Sequence, residues 1–355
     1  MTRVVAAILA VSLGSAAAAS DLPLPARPVG FGDLAGWADD DHLAALQAFR
    51  TGCRVGDKAP AVASARPPPA ALEAACADAA RAAPATGESA RAFFEARFRP
   101  FEVAPAVASG FLTGYFEPEF EGSLERTAAF ATPLLAAPQG IRPGWPERAA
   151  IEDGALGELA RPIVFLNDPV SAFIVHVQGS ARIRLPDGRT VRVGYDGRNG
   201  HPYTSIGRVL ALRLGVPPSK MNAERLWTWL RANPVEAAGL MRENRSYIFF
   251  RILEDLEPER GPIGAGRVPL QAGRSLAIDR NVWTFGLPIW LEAESERLAR
   301  LTIAQDTGAA IVGPGRADLF VGSGAEAGAR AGSIRAEIRF VVLWPKEPGE
   351  PGLAP

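Results

Sequence analysis

Apolar residues recur three and four positions apart over residues 39–50, where Leu43, Leu46 and Phe49 share one face, so the spacing predicts a helix there. The same period returns over 70–83, with Leu72 and Cys76 inward, and over 87–98, with Phe93, Phe94 and Phe98 inward. A Pro-rich stretch at 64–71 reads as a linker inside this helical region. From about Phe111 the pattern changes to alternation. The clearest hairpin joins 181–185 to 189–195 through Pro186-Asp-Gly188, with Ile183, Leu185, Val191, Val193 and Tyr195 on one side and arginines on the other. That basic face reads first as an ordinary solvated strand face. Helical spacing reappears over 224–233, with Leu226, Trp229 and Leu230 on one side, and in the run after Pro234. Strand-like runs follow at 246–253, 275–278, 283–291, 301–304 and 338–344. The Pro- and Gly-rich end, 346–355, reads as a disordered tail.

Composition sharpens this picture in a few places. The 31 prolines and 36 glycines suit a β-rich, turn-rich body, and 355 residues are enough for two domains or one domain carrying an insertion. A formal charge of -1 gives no support for polyanion binding, so nucleic acid is not an expected partner. At the N-terminus Arg3 precedes an apolar stretch, 4–13, and small residues, 15–20, with an Ala-x-Ala cleavage pattern. These are the parts of a secretory signal peptide, expected to occupy 1–20. No Cys closes the apolar stretch, so the expectation is export to the periplasm without a lipid anchor. In that oxidising setting Cys53 and Cys76 read as a disulfide, with two buried free thiols as the alternative. The three histidines, His42, His176 and His201, have no metal-ligand spacing, so neither a metal site nor a Ser-His-Asp triad is expected. No cofactor is expected either.

Three aspartates near the C-terminus stand at the edges of apolar runs: Asp279 in Leu276-Ala-Ile-Asp-Arg-Asn281, Asp306 in Ile303-Ala-Gln-Asp-Thr-Gly308, and Asp318 in Gly315-Arg-Ala-Asp-Leu-Phe320. A carboxylate desolvated by apolar neighbours, with a second carboxylate nearby, has a raised pKa and is suited to act as an acid near neutrality. Taken singly, an Asp beside Gly is more ordinarily a turn or cap residue. The glycines at 322, 324 and 328 would let a polymer approach the backbone.

The stretch Ala304-Gln-Asp-Thr-Gly308, the spacing to Ala317-Asp-Leu-Phe320, and Gly322-Ser-Gly-Ala-Glu-Ala-Gly328 resemble the three-aspartate domain that closes MltA-type lytic transglycosylases. Leu112-Thr-Gly-Tyr-Phe-Glu-Pro118, Phe173-Ile-Val-His-Val-Gln-Gly-Ser180 and Gly261-Pro-Ile-Gly-Ala-Gly266 with Pro269-Leu270 extend the resemblance over residues 110–344. It implies a mainly β fold: a double-psi β-barrel with a smaller inserted β-domain, preceded here by the helical region. The division expected is a signal peptide at 1–20, a helical region leading into the barrel at 21–110, the insert at 111–245, the C-terminal half of the barrel at 246–345, and the tail at 346–355.

The resemblance also implies a monomeric murein lyase that binds peptidoglycan glycan strands in a groove between barrel and insert, with room for partners among wall-synthesis or division proteins. Asp318 takes the acid/base role, Asp306 tunes it, and Asp279 supports the barrel. Thr113, Tyr115, Gln178, Gly179 and Ser180 line the groove. The best-known members are lipoproteins, and the missing lipid-acceptor Cys is a departure. Two alternatives stay open. A two-carboxylate hydrolase could draw its partner from Glu117, Glu119 and Glu121, which would share one face of a strand. A non-catalytic wall-binding protein could use the same groove. Trp227, Trp229, Trp283 and Trp290 read as core before they read as sugar-stacking residues.

Overall fold

The structure is a computed structural model in which residues 22, 24–53, 67–82, 86–103, 110–140, 144–253 and 260–347 are described. The expected signal peptide, the first three residues of the 64–71 linker and nearly all of the tail lie outside the described residues. The N-terminal part consists of β1 (Ala26–Pro28), α1 (His42–Cys53), α2 (Ala70–Arg81), α3 (Gly87–Arg97), β2 (Phe98–Val103) and β3 (Gly110–Glu117). The middle part runs through β4 (Glu119–Ser123), β5 (Thr132–Leu135), α4 (Arg148–Glu152), β6 (Pro162–Leu166), α5 (Pro169–Gln178), β7 (Ser180–Arg184) and β8 (Thr190–Arg198). It continues with α6 (Ile206–Arg213), α7 (Ala223–Ala232), α8 (Pro234–Arg242) and β9 (Ile248–Leu253). The C-terminal part is β10 (Ser275–Ile278), β11 (Pro288–Ala293), β12 (Leu298–Asp306), β13 (Arg316–Ser323), α9 (Gly324–Ser333) and β14 (Arg335–Pro345).

One sheet has the order β1-β2-β14-β11-β12-β10-β13-β3, and β14 also pairs with β3. Six strands therefore close into a ring, with β1 and β2 lying outside along the far half of β14. Two neighbouring pairs in the ring are parallel, β10 with β12 and β13 with β3. Period-two alternation fills the ring from within: Leu112, Leu276, Ala304, Ala317, Leu319 and Ile338 belong to one buried cluster. Helices α1 to α3 cover the outside, and Phe49, Phe94 and Phe98 join that same cluster. Each such aromatic stabilises by roughly 2–3 kcal/mol on burial. Two polar ties fix the helices: the Gln305 amide donates to Ala48 O at 2.8 Å, and Arg274 pairs with buried Asp40 at 2.7 Å. Cys53 and Cys76 form a disulfide joining the end of α1 to α2. Trp283 and Trp290 are core residues, with their indole N–H groups bonded to Pro314 O and Glu292 respectively.

The middle part forms a second sheet, β5-β6-β4-β7-β8-β9, covered by α5 to α8. It is a mixed α/β unit rather than the β-domain expected. β3 belongs to the ring, where it pairs with β13 and β14, and β9 belongs to the insert sheet, where it pairs with β8. The chain leaves the ring at Pro118 and returns to it at β10. Helix α5 is buried nearly all round, which hides its 3.6-residue period. Its ends are well marked: Asp168 caps the Ser171 N–H at 2.9 Å, Pro169 takes the first turn, and Gly179 closes the helix at φ 82°.

Candidate active site

Because Ala317 and Leu319 point into the ring, Arg316, Asp318 and Phe320 of β13 lie on its other face. Asp318 stands opposite Thr113 of β3 on one side and Ala277 of β10 on the other. Ala277 in turn pairs with Asp306 of β12. A row of register partners thus runs Thr113, Asp318, Ala277, Asp306 across four strands.

Asp318 is half-buried, and its Oδ1 accepts the Thr113 hydroxyl at 2.6 Å. Arg316 donates from Nη2 to the same threonine oxygen at 2.8 Å. A guanidinium can only donate, so the hydroxyl proton must point at the carboxylate. Among the described residues no hydrogen bond reaches Asp318 Oδ2. Burial pushes the Asp318 carboxyl up to about 6; the Arg316 charge and the Thr113 bond pull it down, and the Asp306 charge adds to the rise.

Asp306 is engaged at both oxygens. Oδ1 accepts the backbone N–H groups of Ala265 at 2.8 Å and Thr307 at 2.9 Å, and Oδ2 accepts the Tyr115 hydroxyl at 2.8 Å. Burial raises its pKa while these three donors oppose the rise. The Ala265 contact needs a close backbone approach, because a Cβ on Gly264 would stand 2.8 Å from Gln305 O. Burial and the neighbouring Asp306 charge hold the Tyr115 hydroxyl far above its usual pKa, so it serves as a neutral donor.

Asp279 sits apart from this row, just beyond β10. It accepts from Asn281 N at 2.9 Å and Gly313 N at 2.8 Å, and so braces the loop after β10. Of the five residues expected to line the groove, Thr113 and Tyr115 have their hydroxyls bonded to the two acids. Gln178 Oε1 accepts the Phe116 N–H at 3.2 Å, tying the end of α5 to β3. Gly179 supplies the left-handed end of α5, and Ser180 opens β7 as a buried residue. Glycines 324 and 328 lie in α9, which packs on β3 and β13, rather than in an open polymer-binding loop.

Glu117, the first candidate for a second carboxylate, is fully buried at the point where the chain crosses from ring to insert. It receives Arg182 at 2.9 Å, Arg192 at 2.8 Å and the Ser323 hydroxyl at 2.8 Å. The hairpin's basic face is therefore partly consumed by ion pairing, and Arg192 is buried. Glu117 pairs in register with Ser323, four residues along β3 from Thr113, or about 13 Å at strand rise. Glu119 pairs with Arg184, and Glu121 is exposed. Pro118 separates β3 from β4, so Glu117 ends one strand while Glu119 and Glu121 share a face of the next. Arg316 was not singled out from the sequence, although its i−2 position on a strand put it beside Asp318. The backbone donor of Ala265 had no sequence signal.

The MltA specific insert domain matches residues 111–251, and the 3D domain matches residues 274–344. The chain is 32% identical over 243 residues to membrane-bound lytic murein transglycosylase A of Vibrio cholerae, covering 65% of this chain and 64% of that relative's length. A crystal structure of a membrane-bound lytic murein transglycosylase from Agrobacterium tumefaciens superposes with a TM-score of 0.82 at 36% identity, over 91% of this chain and 98% of that one. The structure of Escherichia coli MltA with bound chitohexaose gives a TM-score of 0.65 at 26% identity, over 90% of this chain and 91% of that one.

Proposed function

The chain belongs to the MltA family of lytic murein transglycosylases, and from that premise we propose that it cleaves peptidoglycan glycan strands without water, with Asp318 as its single acid/base. The bond cut is the β-1,4 link from N-acetylmuramic acid to N-acetylglucosamine. The observation that carries this reading is the inequality of the acids. Asp318 has its pKa pushed up to about 6 and, among the described residues, no hydrogen bond at Oδ2, whereas Asp306 and Glu117 have their carboxylates engaged by other groups. Hydrolysis normally asks for two working carboxylates. A lyase needs one.

With Thr113 holding Oδ1, the acid proton sits on Oδ2 and is given to the glycosidic oxygen as positive charge develops at C1 of the muramic acid. The C1–O4 bond breaks, and the new carboxylate accepts the proton of that sugar's own C6 hydroxyl. The C6 oxygen bonds to C1 and closes a 1,6-anhydro ring. Because the nucleophile is tethered to the substrate, proximity supplies much of the rate. Asp306, held by three donors, would help keep the Asp318 pKa raised through its nearby charge. Asp279 would act through the loop after β10. Gln178, Gly179 and Ser180 would shape the wall of the groove contributed by the insert.

The closed six-stranded ring with two parallel pairs supports reading it as a double-psi barrel. The chitohexaose-bound E. coli structure supports a glycan groove in this chain. The relatives are known as membrane-bound lytic murein transglycosylases, and no helix among the described residues is long and apolar enough to cross a membrane. We place the protein at the periplasmic wall, acting as a monomer on glycan strands and open to partners from wall synthesis or division. Asp318→Asn tests the assignment: murein turnover by the variant should fall by about 10²- to 10⁴-fold, and a variant with near-native turnover would end it.

A further inference from the structure

Beside the acid row stand two cations, Arg316, which orients the Thr113 hydroxyl, and Arg335, whose charges the bond-breaking steps do not use. Arg335, the first residue of β14, is the register partner of Thr113 and is exposed. Arg316 lies two residues before Asp318 on β13. Both guanidinium groups lie over the Phe111 ring, at 5.5 Å for Arg316 and 5.7 Å for Arg335. Register partners and i, i+2 neighbours share a strand face, so Arg335, Phe111, Thr113, Arg316 and Asp318 face the same way. Cα atoms of Arg335 and Asp318 are two strand spacings apart, roughly 9–10 Å.

The charge pattern calls for a partner. A cation beside a general acid lowers its pKa, which opposes the acid's task. Burial makes the Arg316 charge costly to hold; the nearby Asp318 charge offsets part of that cost and the Arg335 charge adds to it. Neither arginine has an ion pair within hydrogen-bond reach of a carboxylate among the described residues. Glu337, on the same face of β14, pairs with neither. The planar fork of a guanidinium, steadied by an aromatic ring, suits a carboxylate.

We propose that Arg316 and Arg335, gathered over Phe111, form a subsite for a carboxylate borne by the glycan next to the scissile bond. The inference rests on the glycan-cleaving reading above. The muramic acid carries such a group: the lactyl ether at C3 ends in a free carboxylate wherever the strand has lost its peptide. A carboxylate there neutralises the arginine pair, lifts its pull on Asp318, and places the sugar by a contact at C3 of the ring whose C1 reacts. The protein thereby favours peptide-free strands over uncharged analogues.

The test compares peptide-free glycan strands with the same strands after their lactyl carboxylates are converted to amides. Binding is measured with the Asp318→Asn protein, and turnover with the otherwise native chain. The free-carboxylate strands should bind about tenfold more tightly, the size expected of a charge-assisted contact. Arg335→Gln, at an exposed position, should reduce that preference to near one. Arg231→Gln, exposed on α7, should leave it intact. Equal binding of both strands, or a preference that survives Arg335→Gln, overturns the subsite. Failure of the native chain to cleave either strand, with the binding preference intact, removes the lyase reading and leaves the subsite standing.

Discussion

Asp318→Asn should damage activity and improve stability in the same molecule. The Asp318 pKa of about 6 lies roughly two units above that of an aspartate in an unfolded chain. A folded-state pKa raised above the unfolded value gives stability that is whole below the unfolded pKa and is lost as pH rises through the folded one. Two units correspond to at most about 3 kcal/mol, and the half-buried position allows some solvent screening, so about 1–3 kcal/mol is the expected size. Asparagine keeps an oxygen for Thr113 and carries no charge at any pH. Relative to native protein, the variant should therefore gain this amount between about pH 4 and pH 6 and keep it at pH 7. Urea unfolding of both proteins at pH 4 and pH 7 measures the difference. A stability difference that is the same at both pH values would refute the reasoning, because Asp318 would then not be strained by its charge.

Thr113→Val removes the hydroxyl but keeps the shape. Without the bond that favours the carboxylate, the alkaline limb of the pH–rate profile should move above its native position near pH 6 while kcat/KM falls about tenfold; a limb that stays in place would contradict the role given to Thr113. Glu117→Gln takes the shared carboxylate from Arg182 and Arg192 at the crossing between ring and insert. It should cost about 3–5 kcal/mol in chemical unfolding, the usual penalty for breaking a buried pair, and a loss below 1 kcal/mol would mean the cluster relaxes freely.

Local pattern carried the sequence reading furthest where one face of an element is buried and the other is wet. The 181–195 hairpin was legible for that reason, and α1, α2 and α3 lie within a few residues of the spans their periodicity predicts. It failed at α5, where Val170, Phe173, Ile174, Val175 and His176 are all buried and no amphipathic stripe remains, although Asp168, Pro169 and Gly179 announced the ends. Helix α6 was passed over inside a stretch read as strands. The run at 283–291 was read as one strand, but Trp283 belongs to the turn after Asp279, where its N–H bonds to Asp279 O, and the strand starts at Pro288.

At the site, the candidate acids were visible as residues but their inequality was not. That depends on tertiary partners: Tyr115 reaching Asp306 from β3, Ala265 arriving from a loop, and Arg182 and Arg192 closing on Glu117. Sheet membership of β3 and β9 was hidden for the same reason, because a strand's sequence does not state which neighbour it pairs with.

The central claim is that one acid cuts the strand without water, and digestion in heavy-oxygen water tests it most directly. Purified peptidoglycan is cleaved by the mature protein in that solvent, and the released muropeptides are weighed by mass spectrometry. The account predicts muramic-acid ends one water lighter than the hydrolysed sugar, with no heavy oxygen taken up. Reducing ends carrying the heavy oxygen would contradict it and require a second working carboxylate beside Asp318.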